Sequence, residues 1–282
     1  MVENRPFLGL IRHTVLIAGV LLLALPVWLA FVASTQEGGR LLSGDVTLWP
    51  SGHFLQTYGA VLFEGMRSAG VPPVGRMMLN SLAMAVLIAV GKIAISLLSA
   101  FAIVYFRFPL RKTIFWMIFL TLMLPVEVRI VPTFQVVAGL GLLDSTAGLV
   151  LPLIASATAT FLFRQFFLSV PPELAEAARI DGAGPMRFFA DILVPLSRTN
   201  IAALFVILFI YGWNQYLWPF IATTDEAHYT VVMGIQRMVA VPDSEPIWNL
   251  VMATAILGML PPVAVVVAMQ KLFVKGLVDS EK

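Results

Sequence analysis

Few side chains in this sequence have the types and the spacing that bond chemistry requires. The chain contains no cysteine, which excludes thiolate nucleophiles, thiolate metal sites and disulfides. His13, His53 and His228 are far apart and lack the spacing of metal ligands. The sequence has no Gly-x-Ser-x-Gly, His-Glu-x-x-His or Gly-x4-Gly-Lys-Ser/Thr pattern. We therefore expect no enzyme activity, no ATP hydrolysis by this chain, and no bound cofactor or metal.

Three charged residues stand out because they lie in or beside long apolar runs. Lys92 lies inside such a run, where a charge costs roughly 2.5–3.5 kcal/mol on insertion scales and should face protein or water. Glu127 and Arg129 flank another run that prolines interrupt. One hypothesis is that Lys92, Glu127 and Arg129 line the path of an anionic solute. The alternative is structural: Lys92 reaches the nearer membrane interface or a partner subunit, and the other two form an ion pair or a subunit interface.

A polar segment, residues 168–199, has the pattern of two short helices joined by a turn. Pro171 and Pro172 can begin a helix with Glu173 in its first turn, and Gly182 can end it. Pro185 can begin a second helix, whose apolar face would hold Phe188, Phe189, Ile192 and Leu193 and whose polar face would pair Arg187 with Asp191. Such a pair of helices can fill a groove in another protein. It can equally lie on the lipid surface as an amphipathic loop.

The elements that position these residues follow from composition. Of the 282 residues, 59% are hydrophobic and 12% are charged, and the mean hydropathy is +0.91, well outside the range of soluble domains. Apolar runs long enough to cross about 30 Å of hydrocarbon recur along the chain. The sequence predicts an all-α integral membrane protein with about six transmembrane helices, near residues 14–33, 77–106, 113–133, 147–167, 201–222 and 249–269.

The distribution of basic residues predicts the orientation. With the amino terminus inside, the inner segments hold twelve Lys and Arg residues and the outer segments hold five, which favours two cytoplasmic termini. The first span is longer than the apolar core of a signal peptide, and the residues after it form a poor cleavage site, so we expect a retained anchor. We predict an anchor helix and outer loop over residues 1–76, a core over 77–270, and a cytoplasmic tail over 271–282. The net charge is only +2, and the basic residues do not cluster in a soluble patch. The expected partner is therefore the lipid bilayer and not nucleic acid.

The polar segment resembles a known motif. Glu176-Ala177-Ala178, three residues, Gly182, nine residues and Ile192-Leu193-Val194-Pro195 resemble the EAA loop of ABC importer permeases, with Val194 in place of a leucine. The resemblance implies the type I ABC importer permease architecture, in which this loop docks as a coupling helix on an ATPase subunit. The implied docking residues are Glu176, Ala177, Ala178, Gly182, Ile192 and Pro195.

Further segments extend the resemblance. Residues 105–109, 122–125, 213–219 and 273–277 resemble the carbohydrate-importer branch of these permeases, and residues 1–6, 125–130 and 276–282 resemble permeases that import sn-glycerol 3-phosphate. The family implies a second, different permease subunit, an ATPase homodimer that uses ATP and Mg²⁺, and a periplasmic solute-binding protein. It also implies that the tail contacts the ATPase through Phe273, Gly276 and Leu277.

Two alternatives concern the solute and the energy source. A neutral sugar or polyol fits the same architecture. A self-contained channel or secondary transporter is less favoured, because apart from Lys92 the predicted spans are nearly uncharged. The resemblance places the chain in the bacterial inner membrane.

Overall fold

The fold is almost entirely helical. The computed structural model describes residues 6–38, 44, 47–121, 126–241 and 245–278, with side chains over 9–38, 44, 47–121, 128–241 and 245–270. Within those ranges the only extended pairing is an isolated bridge between Met66 and Val71. The prediction of an all-α membrane protein is confirmed.

Fourteen α-helices account for most of the described chain, and they are numbered here in chain order. They are α1 Pro6–Ser34, α2 Phe54–Phe63, α3 Val74–Tyr105, α4 Arg111–Leu120, α5 Val126–Gly139, α6 Thr146–Val150, α7 Ala157–Ser169, α8 Pro172–Ile180, α9 Pro185–Phe188, α10 Val194–Leu196, α11 Arg198–Trp213, α12 Leu217–Ala222, α13 Val231–Val239 and α14 Trp248–Val278. A π-helical turn, Phe189–Leu193, joins α9 to α10.

Helices lie at each of the six predicted spans. Over the described residues, three helices are long and apolar enough to cross a membrane, within α1, α3 and α14, and the number rises to five if each of two bent pairs is one span. One bent pair joins Thr146–Leu153 to Ala157–Ser169 at 50°, and the other joins Pro185–Leu196 to Arg198–Trp213 at 72°. The predicted third span comprises α4 and α5, and residues 122–125 between them lie outside the described residues. The count of six stays a prediction.

Prolines and short polar segments explain where spans differ from the simple prediction. Pro132 lies inside α5 and does not end it, and the Thr133 hydroxyl donates to the Arg129 carbonyl, 2.7 Å away. The predicted fifth span instead ends at Trp213, and a separate helix, α12, follows the Asn214-Gln215 break. A six-residue α12 is far too short to cross hydrocarbon alone.

The chain divides into two compact units, each with its own packing. The first combines Met1–Arg76 with Gly234–Leu260, and the second combines Met77–Met233 with Pro261–Lys282. In the first unit the Ser34 and Tyr58 hydroxyls are hydrogen-bonded at 3.0 Å, which ties the end of α1 to α2. Much of α1 is exposed, including Leu22 at 72% and Leu23 at 77%, as expected for a helix that lipid surrounds.

The second unit holds an apolar core. Met84 and Ile88 of α3 pack with side chains of α5, of α6 and the 3-10 turn that follows it, and of α12, namely Val137, Leu149, Val150, Leu153, Trp218 and Ala222. A Cβ added to Gly212 would lie 2.9 Å from the Ala85 Cα. This glycine lets the α11 and α3 backbones approach closely, a common device where helices pack in membranes.

A carboxylate joins two loops of the second unit. Asp144 precedes α6 and adopts a left-handed conformation, with φ 52°. Its Oδ1 accepts hydrogen bonds from the backbone N–H groups of Asp225 (2.8 Å) and Thr224 (2.5 Å), and its Oδ2 accepts from the Thr224 hydroxyl at 2.8 Å. The Asp144 N–H also donates to the Ala222 carbonyl, 3.1 Å away. The segment after α12 is thereby fixed to the segment before α6.

This arrangement predicts a pH dependence of stability. The hydrogen bond from the Asp225 backbone, followed by those from Thr224, lowers the pKa of Asp144 below its ordinary value. Since the folded pKa lies below the unfolded pKa of about 4, the ionised carboxylate stabilises the fold above that pH and loses its contribution as the pH falls through the folded pKa. Solvent exposure limits the effect to about 1 kcal/mol.

Asp144→Asn should therefore lower the melting temperature by a few degrees between pH 7 and pH 5, and the difference from the parent protein should shrink below about pH 4. Thermal unfolding of the full chain in detergent measures both. Glu226→Gln on the same loop removes one exposed carboxylate and is the control. A melting difference that stays constant down to pH 3 would contradict the assigned role.

Candidate functional site

The first helix of the polar segment forms as its sequence predicts. α8 begins at Pro172 with Glu173 in its first turn, where a carboxylate faces the positive end of the helix dipole. Gly182 ends the helix with φ 77°. The Ala183 N–H donates to the Ala178 carbonyl at 2.8 Å, so the turn closes back onto the last turn of α8 as in a Schellman-type C-terminus.

The second helix also begins where predicted, at Pro185, but it differs beyond its first turn. After α9 the backbone widens into the π-helical turn and continues through α10. The predicted pair forms, with the Arg187 Nε 3.3 Å from the Asp191 Oδ2, and both side chains are exposed. An ion pair of this kind contributes little stability. The apolar face contributes more stability than this ion pair, because Phe188 and Leu193 are buried.

The second helix and the π-helical turn after it pack on the end of α3 through aromatic contacts. The Phe189 ring centroid lies 4.9 Å from that of Phe101, and the Phe188 centroid lies 5.2 Å from that of Tyr105. A cavity of about 230 Å³ lies between α8, α9 and this end of α3. The run from α9 to α10 continues into α11 across a 72° bend, so the segment is joined to α11 through the chain and to α3 through ring contacts.

The predicted docking residues do not share one environment. Glu176, Ala177 and Gly182 are exposed, and Ile192 and Pro195 are half-buried. Ala178 is 5% exposed and faces the cavity beneath α8. The structure thus makes Ala178 a contact within the chain, whereas Glu176 and Ala177 are free to meet another protein.

Two exposed apolar residues beside Gly182 escaped the sequence analysis. Ile180 is 86% exposed and Met186 is 60% exposed. Both are ordinary apolar residues of a hydrophobic chain, and only the exposed placement beside the left-handed turn distinguishes them. These two residues and the exposed Glu176 and Ala177 are hereafter called the coupling surface.

Lys92 lies in the interior of the second unit. The residue is 6% exposed, and its Nζ lies 3.7 Å from the centroid of the Tyr211 ring, so the ammonium makes a cation–π contact between α3 and α11. Among the described side chains, no carboxylate forms an ion pair with it. Tyr211 was not identified from the sequence, because nothing local to either residue relates them.

The other two charged residues of the hypothesis are on α5. Arg129 is exposed. Glu127 belongs to α5 by its backbone, but its side chain lies outside the described residues. The structure thus leaves Arg129 accessible on α5, and its relation to Lys92 and to Glu127 stays a prediction.

The predicted contacts of the tail fall on side chains that the structure does not describe. Phe273, Gly276 and Leu277 continue α14 by their backbones, but their side chains lie outside the described residues.

Among the described residues, no group of three His, Cys, Asp or Glu side chains could hold a metal ion.

The helical fold, the apolar helices and the coupling surface define a membrane component of a solute transport system. The chain belongs to the family described as binding-protein-dependent transport system inner membrane component, which it matches over residues 92–279. That range includes Lys92, the coupling surface and all of α14. The family assignment confirms the importer resemblance, and with it the location in an inner membrane.

Individual relatives match over the whole chain. The sn-glycerol-3-phosphate transport system permease proteins UgpE of Brucella melitensis and Agrobacterium fabrum are each 56% identical over 282 residues, covering 100% of both chains. The protein of the same name from an Escherichia coli strain is 57% identical with the same coverage.

A solved structure supports the fold independently of these sequences. A chain of a bacterial ABC transporter involved in the import of the acidic polysaccharide alginate superposes with a TM-score of 0.80 and 21% identity, covering 97% of this chain and 99% of that chain. At that identity the likeness concerns the fold alone. It confirms the ABC permease architecture.

Proposed function

We propose that this chain is a permease subunit of an ATP-driven importer and forms half of the translocation pore for sn-glycerol 3-phosphate. The observation that carries the proposal is the full-length identity of 56–57% with permease proteins of sn-glycerol-3-phosphate transport systems. The match covers the whole length of both chains and so includes both termini and all loops.

The importer has three further components in this proposal. A second, different permease subunit completes the pore, an ATPase homodimer uses ATP and Mg²⁺, and a periplasmic solute-binding protein delivers the solute. The sequence supports an external ATPase because it lacks a phosphate-binding loop. The exposed coupling surface and the side chains of Phe273, Gly276 and Leu277 are the proposed ATPase contacts.

The coupling surface would convert ATPase movement into pore opening. When ATP closes the ATPase dimer, α8 moves with it, and the aromatic contacts of Phe188 and Phe189 transmit the displacement to α3. The continuous run from α9 to α10 transmits it to α11. The permease pair then opens outward, and hydrolysis restores the inward-facing state. Both termini and the coupling surface are cytoplasmic in this scheme, in agreement with the bias of Lys and Arg.

An anionic solute would meet Lys92 and Arg129 along its path. A buried ammonium with one aromatic contact and no described carboxylate partner retains capacity to attract a phosphate. Arg129 on α5 is exposed and therefore accessible to solute. Glu127 is assigned to the same path on sequence grounds.

Reconstitution tests the function directly. The full chain, its partner permease, the ATPase and the binding protein are placed in vesicles, and uptake of labelled sn-glycerol 3-phosphate is measured with and without ATP. Uptake that requires both ATP and the binding protein is expected. Uptake of a neutral sugar or polyol in place of the phosphate ester would correct the solute and leave the architecture intact. Transport by this chain alone without ATP would refute the importer.

A further inference from the structure

A basic cavity lies where the end of α3, the start of α4 and the end of α7 meet. It has a volume of about 340 Å³, and its lining includes Arg111, Lys112, Arg164 and the rings of Phe115, Trp116 and Phe161. All of these residues belong to the second unit. The cavity is separate from Lys92 and from the coupling surface.

The three cations have no described counter-ion. Among the residues with described side chains, the ion pairs are Arg187 with Asp191 and His228 with Asp225, so none involves this cavity. Arg111 donates one hydrogen bond of 3.3 Å to the Phe106 carbonyl. The Arg164 Nε is buried and lacks a hydrogen-bond partner. A buried guanidinium nitrogen without an acceptor is costly, and an anionic acceptor would remove that cost.

Aromatic packing holds Arg164 in place. Its guanidinium carbon lies 4.3 Å from the Phe115 ring centroid, and the Phe115 ring stacks on Phe161 with the centroids 6.4 Å apart. Trp116 and Leu168 at the edge are 58% and 54% exposed. The cavity therefore combines fixed positive charge with an apolar border, and the cations lie at the ends of apolar helices.

We propose that this cavity binds the headgroup of an anionic phospholipid from the leaflet at this end of the helices. The phosphodiester would accept hydrogen bonds from Arg164, Arg111 and Lys112, and the acyl chains would lie along Trp116 and Leu168. The phosphate group of a lipid would pair with the cations, and its acyl chain would pack against the apolar border. A free phosphate ion would make only the first of these interactions. Basic cavities between transmembrane helices are suited to anionic headgroups, and Arg favours phosphate through its planar set of donors.

Native mass spectrometry of the full chain in detergent tests the proposal. Short titrations with phosphatidylglycerol and with phosphatidylcholine of the same acyl chains should show preferential retention of phosphatidylglycerol. Removing one cation should weaken that retention about fivefold, the effect expected of one basic residue near anionic lipid. Arg164→Gln tests the buried donor, and Lys112→Gln tests an exposed position whose replacement leaves the core intact.

Arg187→Gln is the matched control, because it removes one exposed positive charge outside the cavity. Equal retention of the two lipids, or equal weakening by Arg187→Gln, would overturn the proposal. Displacement of phosphatidylglycerol by inorganic phosphate at equal concentration would identify a free-anion site instead. Normal lipid retention in the cavity variants together with lost binding of the ATPase would identify a protein interface. The proposal does not depend on the transported solute, so its failure leaves the importer assignment unaffected.

Discussion

Replacing Gly182 by valine is expected to abolish most of the substrate-stimulated ATP hydrolysis and uptake of the assembled importer. Gly182 has φ 77°, and a Cβ added there would meet nothing within 4 Å. The cost is therefore conformational and not steric, roughly 1–2 kcal/mol for an L residue and more for a β-branched one. Relief of that strain would change the turn between α8 and α9, on either side of which Ile180 and Met186 are exposed. A loss of 1.4 kcal/mol in docking alone weakens ATPase binding about tenfold.

Gly184 provides a close control for this variant. It also has open space around its Cβ position, but its φ is −68° and its ψ is 167°, a conformation that valine adopts readily before a proline. Gly184→Val should retain coupling, and Gly182→Asn should retain more than Gly182→Val because asparagine tolerates the left-handed region. Equal losses in the Gly182→Val and Gly184→Val proteins would show that the left-handed turn is not what matters.

Replacing Lys92 by methionine should reduce uptake of sn-glycerol 3-phosphate about tenfold or more, since each 1.4 kcal/mol of lost attraction for the solute corresponds to a factor of ten. Methionine has a similar length and removes only the charge. Lys92 is buried, and an intramembrane charge opposes insertion, so the variant should fold at least as well as the parent. Transport and stability are thus expected to change in opposite directions.

Vesicle uptake and thermal unfolding of the same preparations measure these two effects. Lys92→Arg keeps the positive charge and should preserve more uptake than Lys92→Met. ATP hydrolysis in the absence of solute should be unchanged in both. If Lys92→Met transports normally, the lysine serves only to join α3 to α11 through Tyr211. If Lys92→Met loses both uptake and stability, the contact with Tyr211 is structural and the solute path lies elsewhere.

The long spans follow from the sequence because they depend on local composition. The predicted runs 14–33, 77–106 and 249–269 lie within or almost within α1, α3 and α14, since a continuous apolar run satisfies its backbone only as a helix in hydrocarbon. The broken spans are harder to predict. The run 201–222 is apolar except around Asn214 and Gln215, and two polar residues do not by themselves reveal that the helix stops at Trp213 and restarts at Leu217.

The sequence predicts the backbone of the polar segment, residues 168–199, but it does not predict which of its side chains are exposed. Pro172, Gly182 and Pro185 fix the beginning and end of the helices through the conformations that proline and glycine allow. Which residues remain available for a partner depends on what lies beneath the helices. Tyr105 and Phe188 line the cavity that Ala178 faces, whereas Ile180, Met186 and Glu176 are exposed.

The sequence by itself determined the class of fold, the positions of the long helices, the turn at Gly182 and the resemblance to importer permeases, because each rests on composition or on spacing within a short segment. Only the tertiary structure decided that Lys92 meets Tyr211, that Asp144 holds Thr224 and Asp225, and that Arg111, Lys112 and Arg164 share a cavity. These contacts join residues far apart in the chain. Their formation depends on how helices pack, and local propensities carry no information about that packing.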